Sequence, residues 1–517
     1  MVALAVALAV AAHVPGGASA TTPAADPAGW TVYHGDLTGS GSSADVTGVD
    51  TSAAAWTSPS LDGQLFGEPL VTSGLVYVAT EHDTVYALSS TTGAVVWSRH
   101  LGTPVPSSAL PCGNISPTVG ITGTPVIDPD RHELFVVADE QVDGHPTHVL
   151  VGLDSRSGAV ELTQPVDPPG SSPAALLQRT GLTLDAGRVV FGMGGNYGDC
   201  ASYRGRVGSV PETGGTPAFF TVDAAPGDSQ GAVWMGGAAP AVDAGGNIWV
   251  GVGNGSVHSA AQPYDDSDSV LELSSSLRLV QFFAPASWAQ DNARDLDLSM
   301  APALLADGRV VIAGKSRLVY LLDGRHLGGV GGETARATSS CADDTDGGGA
   351  VVGTTVYLPC LSGIIAVSAT ASPPGLETRW SSRNGGGPPI VAAGRVWTIG
   401  RDGTLDGLDP ATGKVVQQTH VGTPANHFPT PSVGDGLLLA ASATRVIAFH
   451  ATPAAGSATT ATTTAAATGS TAAPTTTVTR SSTASRGLGP VAIVALVVAG
   501  LVVVGGGLLV WRRRHPG

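Results

Sequence analysis

The sequence predicts an all-β chain, an eight-bladed β-propeller of four-stranded antiparallel blades. Three observations predict it. Gly accounts for 71 of 517 residues and Pro for 36, a share that interrupts helices and supplies turns. The chain is 42% hydrophobic, too apolar to remain disordered. A two-strand unit recurs eight times between residues 69 and 442.

The copies begin at residues 69, 125, 182, 240, 302, 350, 389 and 431. Each pairs a short apolar strand with a second, β-branched strand across a Gly- or Asp-marked turn, which is a hairpin pattern. PLVTSGLVYVATE (69–81) and PIVAAGRVWTIG (389–400) are clear examples. The first spacings are long and leave room for loops; the last approach the length of a four-stranded blade. Third and fourth strands follow, most clearly in TVYALSSTTGAVVW (84–97). Closing the repeats into a ring removes exposed sheet edges. The eighth copy ends at TRVIAFH (444–450) without an outer strand, so AAAW (53–56) is expected to complete it.

The ends read differently. Residues 1–20 are an apolar run closing on Ala18-Ser19-Ala20, a signal-peptide pattern, and 21–29 form a short linker before the propeller at 30–450. Residues 451–487 are almost entirely Thr, Ala, Ser and Pro, the composition of a disordered stalk. Residues 488–511 carry no charge and are long enough to span a membrane, and Arg512, Arg513 and Arg514 follow in the tail 512–517. Basic residues beside a span remain cytoplasmic. The expectation is therefore a single-pass cell-membrane protein with its N-terminal domain outside.

The net charge is −16, which argues against a nucleic-acid partner because nothing would neutralise phosphates. Cys112, Cys200, Cys341 and Cys360 are an even set in a chain read as exported, which favours disulfides. Four cysteines allow three pairings. Cys341–Cys360 closes a short loop and is preferred, leaving Cys112–Cys200. None of the four forms a Cys-x-x-Cys, so no metal site is expected from them.

ALSSTTGAVVW (87–97) resembles the tryptophan-docking motif of quinoprotein propellers. Ala87, Thr92, Gly93 and Trp97 match, and Ser89 replaces the usual Asp. Gly152-Leu153-Asp154 with Ser157-Gly158, and Gly407-Leu408-Asp409 with Thr412-Gly413, are partial copies. The chain thus resembles the pyrroloquinoline-quinone (PQQ) repeat superfamily over roughly 30–450. That superfamily holds alcohol dehydrogenases and also non-enzymatic outer-membrane assembly propellers. An enzymatic member would imply PQQ, calcium held by Glu, Asn and Asp, an Asp base, a Trp beneath the quinone and a vicinal Cys pair above it. No two cysteines are adjacent here, and no haem-attachment motif occurs.

Other motifs fail on their spacing. Gly314-Lys315-Ser316 lacks the earlier Gly of a phosphate loop, and Asp343, Asp344 and Asp346 do not align as an EF-hand. What remains is a funnel of residues ahead of the inner strands. Asp295, Asp297 and Ser299 alternate with leucines, so an extended chain would place the three on one face. Glu68, His427 and Thr430 precede inner strands similarly, and Lys315 would join through the loop after its strand. These residues read either as a ligand funnel or as caps that lock neighbouring blades. Asp265, Asp266 and Asp268 read as a solvated loop. The sequence therefore points to a binding or scaffolding module without a cofactor, meeting a protein, cell-surface or small-molecule ligand at its rim or funnel. A PQQ- and calcium-dependent oxidoreductase with a divergent site is the alternative.

Overall fold

A computed structural model describes residues 29–454. The expected signal peptide, nearly all of the stalk, the 488–511 span and the basic tail lie outside those residues. Among the described residues no helix is long and apolar enough to cross a membrane.

Eight blades, each built on four antiparallel strands, follow one another along the chain, and four of their sheets carry a fifth strand. Blade 1 runs Leu70–Thr72, Leu75–Ala79, Thr84–Ser89 and Val95–His100 from the inside outward. Blades 2 to 7 repeat the order, with inner strands at Val126–Asp128, Thr183–Asp185, Ala241–Val242, Ala303–Leu304, Ala350–Val352 and Ile390–Ala392. The middle strands are buried on both faces, as Val76, Val85, Val311 and Leu321 show. This is why they read as continuous apolar runs rather than as an alternation.

Blade 8 closes the ring. Ser432–Gly434, Leu437–Ser442 and Arg445–Pro453 come from the C-terminal side, and Val46–Asp50 adds as the outer strand. Trp56–Thr57 pairs further along the same partner, Trp56 opposite Ala448. The N-terminal contribution thus begins earlier than residues 53–56 and is interrupted between its two pairings.

Neighbouring blades are pinned by tryptophans on the Thr-Gly or Ser-Gly turns. Trp56 Nε1 donates to Ser90 O at 2.7 Å, Trp97 Nε1 to Ser155 O at 3.1 Å and Trp380 Nε1 to Pro410 O at 2.9 Å. Each indole lies flat on the turn glycine of the next blade. At Gly158, whose φ is +68°, an added Cβ would stand 2.5 Å from the Trp97 ring. Only glycine meets both demands.

Residues 29–43 form an element that the repeat pattern does not predict, ahead of the first blade. Trp30 exchanges two hydrogen bonds with Val71 of blade 1. Ile127 donates to Thr31 O, Val242 to Leu37 O, Val351 to Ser40 O and Val391 to Gly41 O. Ser42–Ser43 then pairs in parallel with Ile390–Ala392. The segment bonds the inner strands of blades 1, 2, 4, 6 and 7 and so lies across the axis they surround. It plugs the channel. The opposite end, where inner strands begin and second strands finish, forms the mouth.

Both disulfides join the expected cysteines, Cys112 to Cys200 and Cys341 to Cys360. The first ties the long insertion after blade 1 to a loop of blade 3.

Candidate functional site at the propeller mouth

A cluster of charged side chains lies at the mouth on blade 5. Lys315 follows the strand Arg309–Ala313, and its backbone N–H donates to Asp297 O at 2.9 Å. Its Nζ lies 2.8 Å from Asp295 Oδ1 and 2.9 Å from Asp297 Oδ2. Asp297 also accepts from Asn254 N at 2.8 Å and from Trp234 Nε1 at 3.3 Å. The Lys315 ammonium stands 5.7 Å from the Trp234 ring centroid, within cation–π reach.

Three further acids sense this ammonium. Asp346 is buried, and burial pushes its carboxyl up to about 7, against the pull of Ser299 and Lys315. Burial also raises Asp344 and Asp199, and Lys315 opposes both shifts. Burial works against the charge on Lys315 itself, but Asp297 and Asp295 outweigh it and hold the ammonium above its ordinary range.

The extended face expected for Asp295, Asp297 and Ser299 does not form. A short helix, Trp288–Asn292, precedes them, and Asp295 sits in a turn at φ +56°. Asp295 is exposed, whereas Asp297 and Ser299 are buried. The two acids meet at Lys315 because the turn brings them there, not by strand alternation. Ser299 Oγ instead donates to Thr345 O at 3.1 Å, joining blade 5 to the loop before blade 6. The loop at 265–268 departs from its solvated reading. Asp265 and Asp268 are buried, and Asp268 Oδ1 accepts from Leu298 N at 2.9 Å. The acid holds the Asp295–Ser299 stretch in place.

Glu68 has a different task. Trp30 Nε1 donates to its Oε1 at 2.9 Å and His34 N to its Oε2 at 2.8 Å, while its own N–H bonds Thr124 Oγ1 at 2.9 Å. Both oxygens are spent on the plug, and burial raises its carboxyl well above the usual range. His427 is exposed on the rim, with Nε2 3.3 Å from the Arg401 guanidinium. Burial and that guanidinium lower its imidazole. Thr430 is buried, and its hydroxyl donates to Phe428 O at 3.2 Å. The structure therefore brings Asp295, Asp297 and Lys315 together and leaves Glu68 and His427 elsewhere.

Sequence reasoning missed Trp234, Asn254 and Arg179. They come from blades 3 and 4, and only Asn254 sits in a local motif, the Asn254-Gly255-Ser256 sequon, which says nothing of this contact. Arg179 is buried, with its guanidinium 5.7 Å from the rings of both Phe66 and Phe428. Burial lowers it to about 10. Phe428 in turn lies 5.9 Å from Trp234, so an aromatic and cationic layer crosses the mouth.

The donor set matches the quinone–calcium group implied by the resemblance only in part: Trp234, Asn254, Asp295 and Asp297 meet at the mouth, while the Cys pair and the Glu do not join them. The cysteines pair at long range, so no vicinal disulfide covers Trp234. The two carboxylates best placed for a cation are already bridged by Lys315. Two buried glutamates of blade 1 are bonded elsewhere: Glu68 to the plug, and Glu81 to Gly120 N at 2.8 Å and Thr122 Oγ1 at 3.1 Å.

Comparison with known proteins agrees with the fold. Residues 19–215 match the family model described as outer membrane protein assembly factor BamB. No curated protein matches the chain. Among solved structures, a quinohemoprotein alcohol dehydrogenase from Pseudomonas putida is 15% identical, with 83% of this chain and 81% of that one covered at a TM-score of 0.63. A europium-containing methanol dehydrogenase is 14% identical, with 82% and 98% covered at 0.59. BamB from Moraxella catarrhalis is also 14% identical, with 77% and 99% covered at 0.52. The protein is an eight-bladed propeller, and the family match covers residues 19–215, the part of the chain that holds its first blades.

Proposed function

We propose that this propeller works as a non-catalytic binding or scaffolding module, displayed outside the cell membrane on its Thr/Ala stalk and the 488–511 span. The observation that carries the reading is the blade 5 mouth. Asp199, Asp295, Asp297, Asp344 and Asp346 surround a single ammonium, Lys315. Such a rim attracts a cationic or hydrogen-bond-donating group of a protein, cell-surface or small-molecule partner. The plug supports the same reading, because it makes the channel a one-ended recess. Propellers of similar fold include both dehydrogenases and an assembly factor, so the fold alone does not select catalysis.

The test is reconstitution of the full-length protein with PQQ and Ca²⁺. The expected result is no quinone absorbance beyond that of free PQQ and no dye reduction with alcohols or sugars. Turnover that Asp297→Asn abolishes would overturn the proposal in favour of the quinoprotein alternative. In parallel, cross-linking on intact cells is expected to capture partners with wild type and to lose them with Asp295→Asn/Asp344→Asn. Unchanged capture would remove the mouth as the contact surface.

A further inference from the structure

A second polar cluster lies on blade 1, away from the Lys315 group. Asp62 comes from the segment entering the inner strand, His82 from the turn between Leu75–Ala79 and Thr84–Ser89, and His100 from the end of the outer strand. All three are exposed, and one ligand atom from each lies within 4.8 Å of the others. His82 Nδ1 is 3.5 Å from Asp62 Oδ2, and the two imidazoles are 5.6 Å apart.

The cluster is held from beneath. Thr80 Oγ1 donates to Asp62 Oδ1 at 3.0 Å and Thr84 Oγ1 donates to Asp62 Oδ2 at 2.5 Å, so both carboxylate oxygens are oriented. Thr84 is the register partner of His100, and its hydroxyl lies 3.0 Å from His100 Nδ1. That hydroxyl has one proton, committed to the carboxylate. His100 Nδ1 must therefore donate, which leaves a free lone pair on Nε2. Gly63 lets the Asp62 segment approach, since a Cβ there would stand 2.9 Å from His82 N.

We propose that Asp62, His82 and His100 form a surface site for a divalent transition metal of the zinc, cobalt or nickel class. Two imidazoles and one carboxylate make a borderline N₂O donor set, which suits these ions better than calcium or magnesium. The threonine hydroxyls serve as the outer partners that orient metal ligands. Three protein ligands leave coordination positions open, so water or a side chain of a bound partner completes the shell.

The experiment titrates Co²⁺, then Zn²⁺, into the full-length protein after chelator treatment, reading visible absorption and calorimetry. Wild type is expected to bind one Co²⁺ at this site, displaced by Zn²⁺, with a rise in Tm on Zn²⁺ addition. His82→Ala/His100→Ala is expected to weaken binding at least 100-fold while keeping the metal-free melting curve. Thr84→Val, which keeps all three ligands, should weaken it about tenfold. His326→Ala, an exposed histidine elsewhere, should change nothing. Absence of wild-type binding at millimolar metal would overturn the proposal. So would equal binding by the double variant, or equal loss in His326→Ala.

Discussion

Glu68 and Asp297 stand in comparable places, each shortly before the inner strand of its blade and each almost fully buried. They do different work. Glu68 meets the backbone and indole of the plug, so its neutral surroundings make it a fastener. Asp297 meets an ammonium, an indole and a backbone N–H at an open rim, and beside it Asp295 remains 68% exposed at its side chain. The lesson is that an acid at a strand start has no fixed role in this ring. What it faces across the axis decides, and on one side that is the molecule's own N-terminal segment.

The comparison can be broken most forcefully at Glu68. Replacing it by Ala strands the Trp30 and His34 N–H groups in a dry interior, and the expected loss is roughly 3–5 kcal/mol. Chemical denaturation measures it, and a loss below about 1 kcal/mol would remove the fastener role. Lys315→Met comes next. It leaves Asp297 buried without its cation, at about 2–3 kcal/mol, and much of that should return in Lys315→Met/Asp297→Asn. No recovery in the double variant would show that the pair is not coupled.

Asp346 gives a comparable, pH-dependent effect. Its carboxyl is raised to about 7 in the fold, so the native protein keeps a proton that the unfolded chain releases from about pH 4 upward. The stability tied to that proton is complete at low pH and is lost as pH climbs towards 7. Relative to wild type, Asp346→Asn should therefore gain on the order of 2–3 kcal/mol between pH 5 and 8. Paired Tm measurements across that range check it, and a constant difference would contradict the shift. Asp295→Ala should have the smallest effect on stability, within about 0.5 kcal/mol, because exposed ion pairs contribute little. A large drop in Tm would make the exposed acid structural after all.

The repeat was legible because a blade is a local object. Its strands are close in sequence, its turns demand Gly or Asp, and its tryptophan docks on the next unit. The disulfide pairs were readable for a related reason, one short loop leaving a single remaining pair. The Lys315 group was only half legible. Asp295 and Asp297 were visible as a pattern, but their alternation implied a strand that the turn at Asp295 prevents. Trp234 carried no signal, and Asn254 and Asp199 lie in Gly- and polar-rich insertions whose composition suits a rim but names no contact, since residues of separate blades meet only after the ring closes. The 265–268 acids misled for the opposite reason. Three aspartates among polar residues look solvated until another segment covers them.

Short-range chemistry in the chain was therefore enough to determine the class of fold, the count of blades and the means of pinning one to the next. Tertiary structure alone decided that residues 29–43 stop the channel, that Glu68 holds this stopper, and that Lys315 gathers acids from several blades. The physical reason is circular closure. It brings into contact groups separated by hundreds of residues, and no periodicity along the chain records which of them will face one another across the axis.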